Sequence, residues 1–253
     1  FPNRYCIQNG DTFKIPKVLF YNIISHTENA YSFYFKSDDL RLVQLFMNEF
    51  KNNLFYSYND FLHDYNNYCV EKNQLSDYRK EFQRELTAIK GTMILWMYSN
   101  GISVEKIAES ANIGKGDVYS SIMQADWLIH ALYNLCIHFG LFNSKYFSAA
   151  KTDFKVANKS LSLGVPQELF DLMRIQSMGR LMAREFFDVG YKSVNNLSKI
   201  DVQQFSDTLI FSQIKTIKNE AMMMVHKVNP HSVVDESEDL SYKSDEQTEV
   251  VHR

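Results

Sequence analysis

Trp127 stands among Ser120, Gln124, Asn134 and His138 on one side of the segment 117–139, opposite Val118, Ile122, Ala125, Ile129, Leu132 and Cys136 at helical spacing. A large aromatic ring in the middle of a polar helix face offers its π surface to a nucleobase. That is the chemistry of a stacking platform for single-stranded nucleic acid. The other reading is that a second helix covers this face, so that Trp127 is core and its indole N–H is bonded to a neighbour.

A second constellation lies at 167–187. The spacing predicts one helix over 167–173 and another over 180–187, joined by Arg174-Ile175-Gln176-Ser177-Met178-Gly179. Apolar Ile175 and Met178, a glycine at the turn and small Ala183 make a helix-hairpin-helix signature. Backbone N–H groups of such a turn can cradle a phosphate without reading bases. Gly179 is the residue for close approach, and Arg180 and Arg184, four apart, share a helix face from which they can reach adjacent phosphates. The same two arginines also fit a plain solvated face.

Catalytic chemistry is missing from the chain. Gly114-Lys115-Gly116 lacks the spacing and the following Ser/Thr of a phosphate loop, and no Asp-Glu-x-His box occurs. The seven histidines (26, 63, 130, 138, 226, 231 and 252) and three cysteines (6, 69 and 136) show no metal-ligand spacing. No nucleophile and base motif stands out. This chain alone is therefore expected to hydrolyse no ATP and to hold no metal or cofactor.

The elements that must position these residues read as helices. Gly (9) and Pro (4) are scarce in 253 residues, which favours long helices over a many-stranded architecture. The first 16 or so residues read as irregular chain or the remnant of an earlier domain, 17–25 as a short apolar segment, and 31–35 as one extended stretch. Helical spacing begins after the cap cluster Ser37-Asp38-Asp39 and continues through 59–71 and 76–99, where Asn100-Gly101 ends it. Ser103 caps a short helix, Asn112, Gly114 and Gly116 make a tight break, and Asp117 starts the next helix, which is helix-turn-helix grammar. A helix over 145–161 precedes Gly164-Val165-Pro166, the expected domain boundary.

The expected organisation is thus all-α. Residues 1–22 are a remnant or irregular segment, 23–163 a helical bundle, 164–227 a helix-hairpin-helix domain and 228–253 an acidic disordered tail. Net charge runs −1 over 1–154, +3 over 155–227 and −5 over 228–253, so nucleic-acid affinity has to come from focused contacts rather than a bulk field. The tail reads as a solvated terminus, with partner binding as its other reading. The most apolar stretch, 127–142, is interrupted by His130, Asn134 and His138 and falls short of a membrane span. Scattered cysteines fit an intracellular setting. A first residue of Phe rather than Met points to a fragment or processed product.

Taken in order, His26-Thr27-Glu28-Asn29, Ser37-Asp38-Asp39-Leu40, the break at 112–117, Ala125-Asp126-Trp127-Leu128-Ile129-His130-Ala131-Leu132, Gly164-Val165-Pro166-Gln167-Glu168-Leu169 and the 178–184 hairpin have a known likeness. Over residues 17–226 the chain resembles the C-terminal half of the archaeal superfamily-two repair helicases of the Ski-like group, relatives of the helicase part of DNA polymerase theta. The resemblance implies a ratchet domain whose long helix lies along the unwound strand and stacks a base on Trp127, with Gln124, Ser120 and Asn134 beside it. A family arginine falls at Ser120 and is missing. It implies a hairpin domain that grips the emerging strand through Gly179, Arg180 and Arg184, although Met182 and Ser177 replace a family arginine and glycine. It also implies single-stranded or forked DNA as partner, in fork repair or recombination. ATP and Mg would act in motor domains upstream or in another chain, in the cytoplasm of an archaeon or in a nucleus. Two readings of other classes stand beside it. One is a helix-turn-helix regulator with Lys115, Tyr119 and Ser120 toward base edges, the other a helical protein-interaction module.

Overall fold

The computed structural model describes residues 7–227 apart from 10–11, 29, 31, 34, 37, 52, 71–76, 145–146 and 206–210. Its described residues form ten α-helices and one small hairpin, so the chain is all-α in class. In the hairpin, β1 (Ile7–Asn9) pairs antiparallel with β2 (Thr12–Lys14), which departs from the irregular opening that the sequence leads one to expect. The reason is local, since the register Asn9↔Thr12 leaves only Gly-Asp between the strands, a glycine-first pair of the kind that two-residue hairpins favour. Ser37 of the cap cluster and the tail 228–253 lie outside the described residues.

The first seven helices are α1 (Lys17–Ser25), α2 (Asp39–Glu49), α3 (Tyr58–Val70), α4 (Asp77–Ser99), α5 (Val104–Ser110), α6 (Lys115–His138) and α7 (Ser148–Leu163). The segment 31–35 carries no strand among its described residues. Buried Phe33 there fills space beside Gly91 of α4, where a side chain on the glycine would already crowd Ser25. Helix α4 is the post around which the bundle is assembled, packed against α1, α2, α5, α6 and α7. Its C-terminal carbonyls are met by Lys17, whose Nζ donates to the Ser99 carbonyl at 3.3 Å and to Asn100 Oδ1 at 3.2 Å. Burial pulls the Lys17 ammonium down to about 8, against the opposing pull of Glu168. Gly101 then turns the chain at φ +89°, a conformation that glycine takes freely. Ser103 caps α5 by accepting the Lys106 N–H.

Several polar groups inside the bundle are matched in detail, although Asn158 Oδ1 and Ser160 Oγ of α7 are buried without a hydrogen bond among the described residues. Asn22 donates through Nδ2 to Thr92 Oγ1 at 3.0 Å and accepts the Phe55 N–H at 2.9 Å, while Thr92 donates to the Ala88 carbonyl. Tyr21 donates to the Ala157 carbonyl at 3.0 Å, and the Ile15 N–H donates to Asp153 at 2.9 Å, stitching the start of the chain to α7. Lys90, wholly buried in α4, pairs with Asp39 at 2.7 Å, and Asp39 also accepts the Lys36 N–H at 2.7 Å.

His26, just past α1, joins Asn22 O (2.7 Å) and Glu85 (2.8 Å) through its two ring nitrogens. Burial lowers its pKa, but the bonds to Glu85 and the Asn22 carbonyl outweigh it, and the net shift is upward. A group whose folded pKa is raised lends full stability below its unfolded value of about 6.5 and loses it as pH climbs through the folded pKa. Urea unfolding of the wild type should therefore weaken from about pH 6 upward toward that folded pKa. In Glu85→Gln that portion of the pH slope should be gone, and an unchanged slope would discount the pair.

A second core begins at Val165 and is built by segments that follow it in the chain. The sequence predicts a helix over 167–173, but two 3-10 turns occur there, Gln167–Leu169 and Leu172–Arg174. The cause is the spacing of the buried residues Leu169, Leu172, Ile175 and Met178, three apart each time, which suits three residues per turn rather than 3.6. Then come α8 (Arg180–Asp188), α9 (Val194–Ser198) and α10 (Phe211–Lys227), with α9 and α10 packed together.

Candidate nucleic-acid interface

Helix α6 starts two residues before the expected Asp117. Gly114 is its N-cap, with its N–H donating to the Asp117 carboxylate at 3.1 Å, and Lys115 pairs with Glu105 of α5 at 3.1 Å. Twenty-four residues make it about 36 Å long. Val118, Ser121, Ile122, Ala125, Ile129 and Cys136 are buried against the bundle, and Leu132 is half-buried.

The opposite side is open along its whole length. Trp127 is 63 % exposed, diametrically across the helix from the buried stripe. Ser120, His130 and Asn134 are exposed on the same side, with Met123 (73 %) and Tyr119 (53 %) one and two turns toward the N-terminus. Gln124 is half-buried on the flank. Asp126, at the edge, has its carboxyl pushed upward by burial, with His130 pulling the other way. No Lys or Arg occurs between 116 and 138, so this face presents ring and thioether surface with almost no cationic charge. Tyr119 and Met123 were within reach of sequence reasoning, because 119, 123 and 127 form an i, i+4, i+8 row.

The hairpin residues are placed differently. Gly179 is the N-cap of α8 at φ −78°, and a Cβ there would meet nothing within 4 Å, so the position does not depend on glycine. Arg180 does not point outward. Its guanidinium lies 4.4 Å from the Tyr98 ring centroid of α4, with Nη1 buried and lacking a hydrogen bond among the described residues. Arg184 pairs with Glu168 at 2.7 Å and with Asp188 at 3.6 Å. Helical spacing had put both on one solvent face. The third dimension turns one onto α4 and occupies the other with carboxylates.

Among the described residues no three His, Cys, Asp or Glu side chains gather as a metal site, and no helix is long and apolar enough to cross a membrane. Residues 18–152 match the family model described as archaeal helicase, domain 4, a span running from α1 through α6 into the first turn of α7. Curated relatives carry the name ATP-dependent DNA helicase Hel308. The chain is 26 % identical to that of Thermoplasma volcanium over 140 residues, 53 % of this chain and 20 % of the relative. It is 29 % identical over 122 residues to that of Methanocella arvoryzae, 48 % of this chain and 16 % of the relative. With that of Thermococcus kodakarensis identity is 30 % over 116 residues, 46 % and 10 % of the two chains. The matched part thus spans a fifth or less of these relatives.

Proposed function

Since this chain belongs to the archaeal helicase domain 4 family, we propose that it is the non-catalytic, strand-gripping region of an ATP-dependent DNA helicase acting in fork repair or recombination. In that reading the exposed face of α6 lies along unwound single-stranded or forked DNA, with Trp127 as base platform and Ser120, Asn134 and flanking Gln124 beside it. ATP and Mg act in motor domains, upstream or in another chain. Residues 23–163 form the ratchet-like unit and 164–227 the helix-hairpin-helix unit. The hairpin is the lesser contact, reaching phosphates through Gly179 and the start of α8. Arg180 and Arg184 would add charge only by exchanging their present partners.

The observation that carries the reading is Trp127 exposed opposite the core face of a helix inside the matched span. An indole this exposed adds little to the core, and every base offers a π face to it. Trp127→Ala should weaken binding of a labelled single strand by about 1–3 kcal/mol in fluorescence anisotropy and leave the salt slope nearly unchanged. Its circular dichroism and melting should match the wild type. Tighter binding to one duplex sequence than to single strands would favour a helix-turn-helix regulator instead. No binding to either would favour an interaction module.

A further inference from the structure

Tyr119, Met123 and Trp127 occupy one ridge of α6, each four residues from the next and each largely outside the bundle. We propose that Tyr119 is a second stacking platform, so that this face holds two bases with Met123 between them. The inference rests on the strand-gripping reading of α6.

Tyr119 is more than half exposed. No hydrogen bond, ion pair or ring contact engages it among the described residues, which leaves a face of its ring open to a ligand. Its surroundings on the helix are cleared. Gly116 precedes it by one turn, and a Cβ there would meet nothing within 4 Å, while Ser120 beside it is small and exposed. A planar group can therefore lie against the tyrosine without displacing another side chain. Tyrosine also has only two rotatable side-chain bonds, so holding its ring still against a ligand costs little entropy.

Eight residues separate Tyr119 from Trp127, about 12 Å along the axis. Two rings at that spacing bracket a short stretch of strand rather than clasp a single base. Met123 between them, the most exposed of the three, supplies a soft, polarizable contact that adapts to any base lying there. The charge pattern argues the same way. With no Lys or Arg from 116 to 138, and with Lys115, one turn before Tyr119, paired to Glu105 at 3.1 Å, the face offers little cationic charge to a phosphate, and its hold on DNA rests chiefly on bases. One stacked base strengthens binding by about 5- to 150-fold, and Tyr119 is the exposed ring that this row offers on the N-terminal side of Trp127.

The test uses the 253-residue chain with fluorescein-labelled oligo-dT and oligo-dA, the wild type and four variants: Tyr119→Ala, Tyr119→Phe, Trp127→Ala and the Ala double. Tyr119→Ala should weaken binding by about 5- to 150-fold, and Tyr119→Phe should bind as the wild type does. At this separation the two Ala losses should multiply in the double. A 2-aminopurine base walked along the oligomer gives the second readout. Its quenching at one position should vanish in Tyr119→Ala, and at a different position in Trp127→Ala. If Trp127→Ala weakens binding while Tyr119→Ala does not, Tyr119 is no platform and the strand-gripping reading stands. If Phe loses as much as Ala, the contact is through the hydroxyl, and stacking is wrong. If no variant binds less than the wild type, both the platform and the reading on which it rests fall.

Discussion

Asp39→Ala is expected to lower unfolding stability by about 3–5 kcal/mol, because it strands the Lys90 ammonium inside the bundle without its carboxylate. The same change orphans the Lys36 N–H, which Asp39 also accepts at the entrance to α2. The pair itself need not add net stability, since burying two charges costs much of what their attraction returns. Asp39→Asn keeps an acceptor for the Lys36 N–H, and Lys90→Met fills the same space without charge. That double variant should therefore lose much less than Asp39→Ala alone. Urea unfolding followed by circular dichroism at neutral pH separates the cases. A loss below about 1 kcal/mol in Asp39→Ala would mean that the ammonium finds water or another acceptor.

Gly164→Ala should be nearly as damaging, by about 2–4 kcal/mol, and in a different place. Gly164 ends α7 at φ +64°, which an L-side chain takes only at a cost of about 1–2 kcal/mol. A Cβ there would lie 2.8 Å from Arg180 Nη1 and 2.8 Å from Tyr98 Cζ, so the stacked guanidinium and ring would have to part. Overpacking of this sort usually costs about 1–3 kcal/mol. Because the clash runs through Arg180, the alanine should cost less in an Arg180→Ala background, where half of the obstruction is gone. Equal costs in the two backgrounds, measured as a double-mutant cycle in urea, would exclude the clash as the cause.

Periodicity made the long helices and the two sides of α6 legible, and that is why Trp127 could be singled out before any coordinates. Ser103 could be read as a cap because its spacing to the Lys106 N–H is set by the helix itself. What could not be read depended on distant partners. The spacing of Arg180 and Arg184 fixes their face on α8, but not that Tyr98, far back in the chain, waits beneath the first of them. Lys90 breaks an apolar run in α4, and nothing local says that Asp39 will neutralise it there. The two turns at 167–174 hid behind a pattern with period three, which a search at 3.6 residues reads as a ragged helix.

The stitching of α1 to α7 bears on the order in which a growing chain can fold. Tyr21 reaches Ala157, and Ile15 reaches Asp153, across sequence separations of 136 and 138 residues. During synthesis α1 must wait, its apolar side without its last neighbour, until the 136 residues that separate Tyr21 from Ala157 have been made. The later core draws all its buried residues from 165–221 and closes over short loops as soon as they emerge, and such local closure is fast. Its pieces meet within tens of residues, whereas the earlier bundle completes itself only when its first and last helices meet. A ribosome pausing before Ala157 would thus hold an unfinished bundle with its seam open, the state in which exposed apolar surface most readily finds the wrong partner.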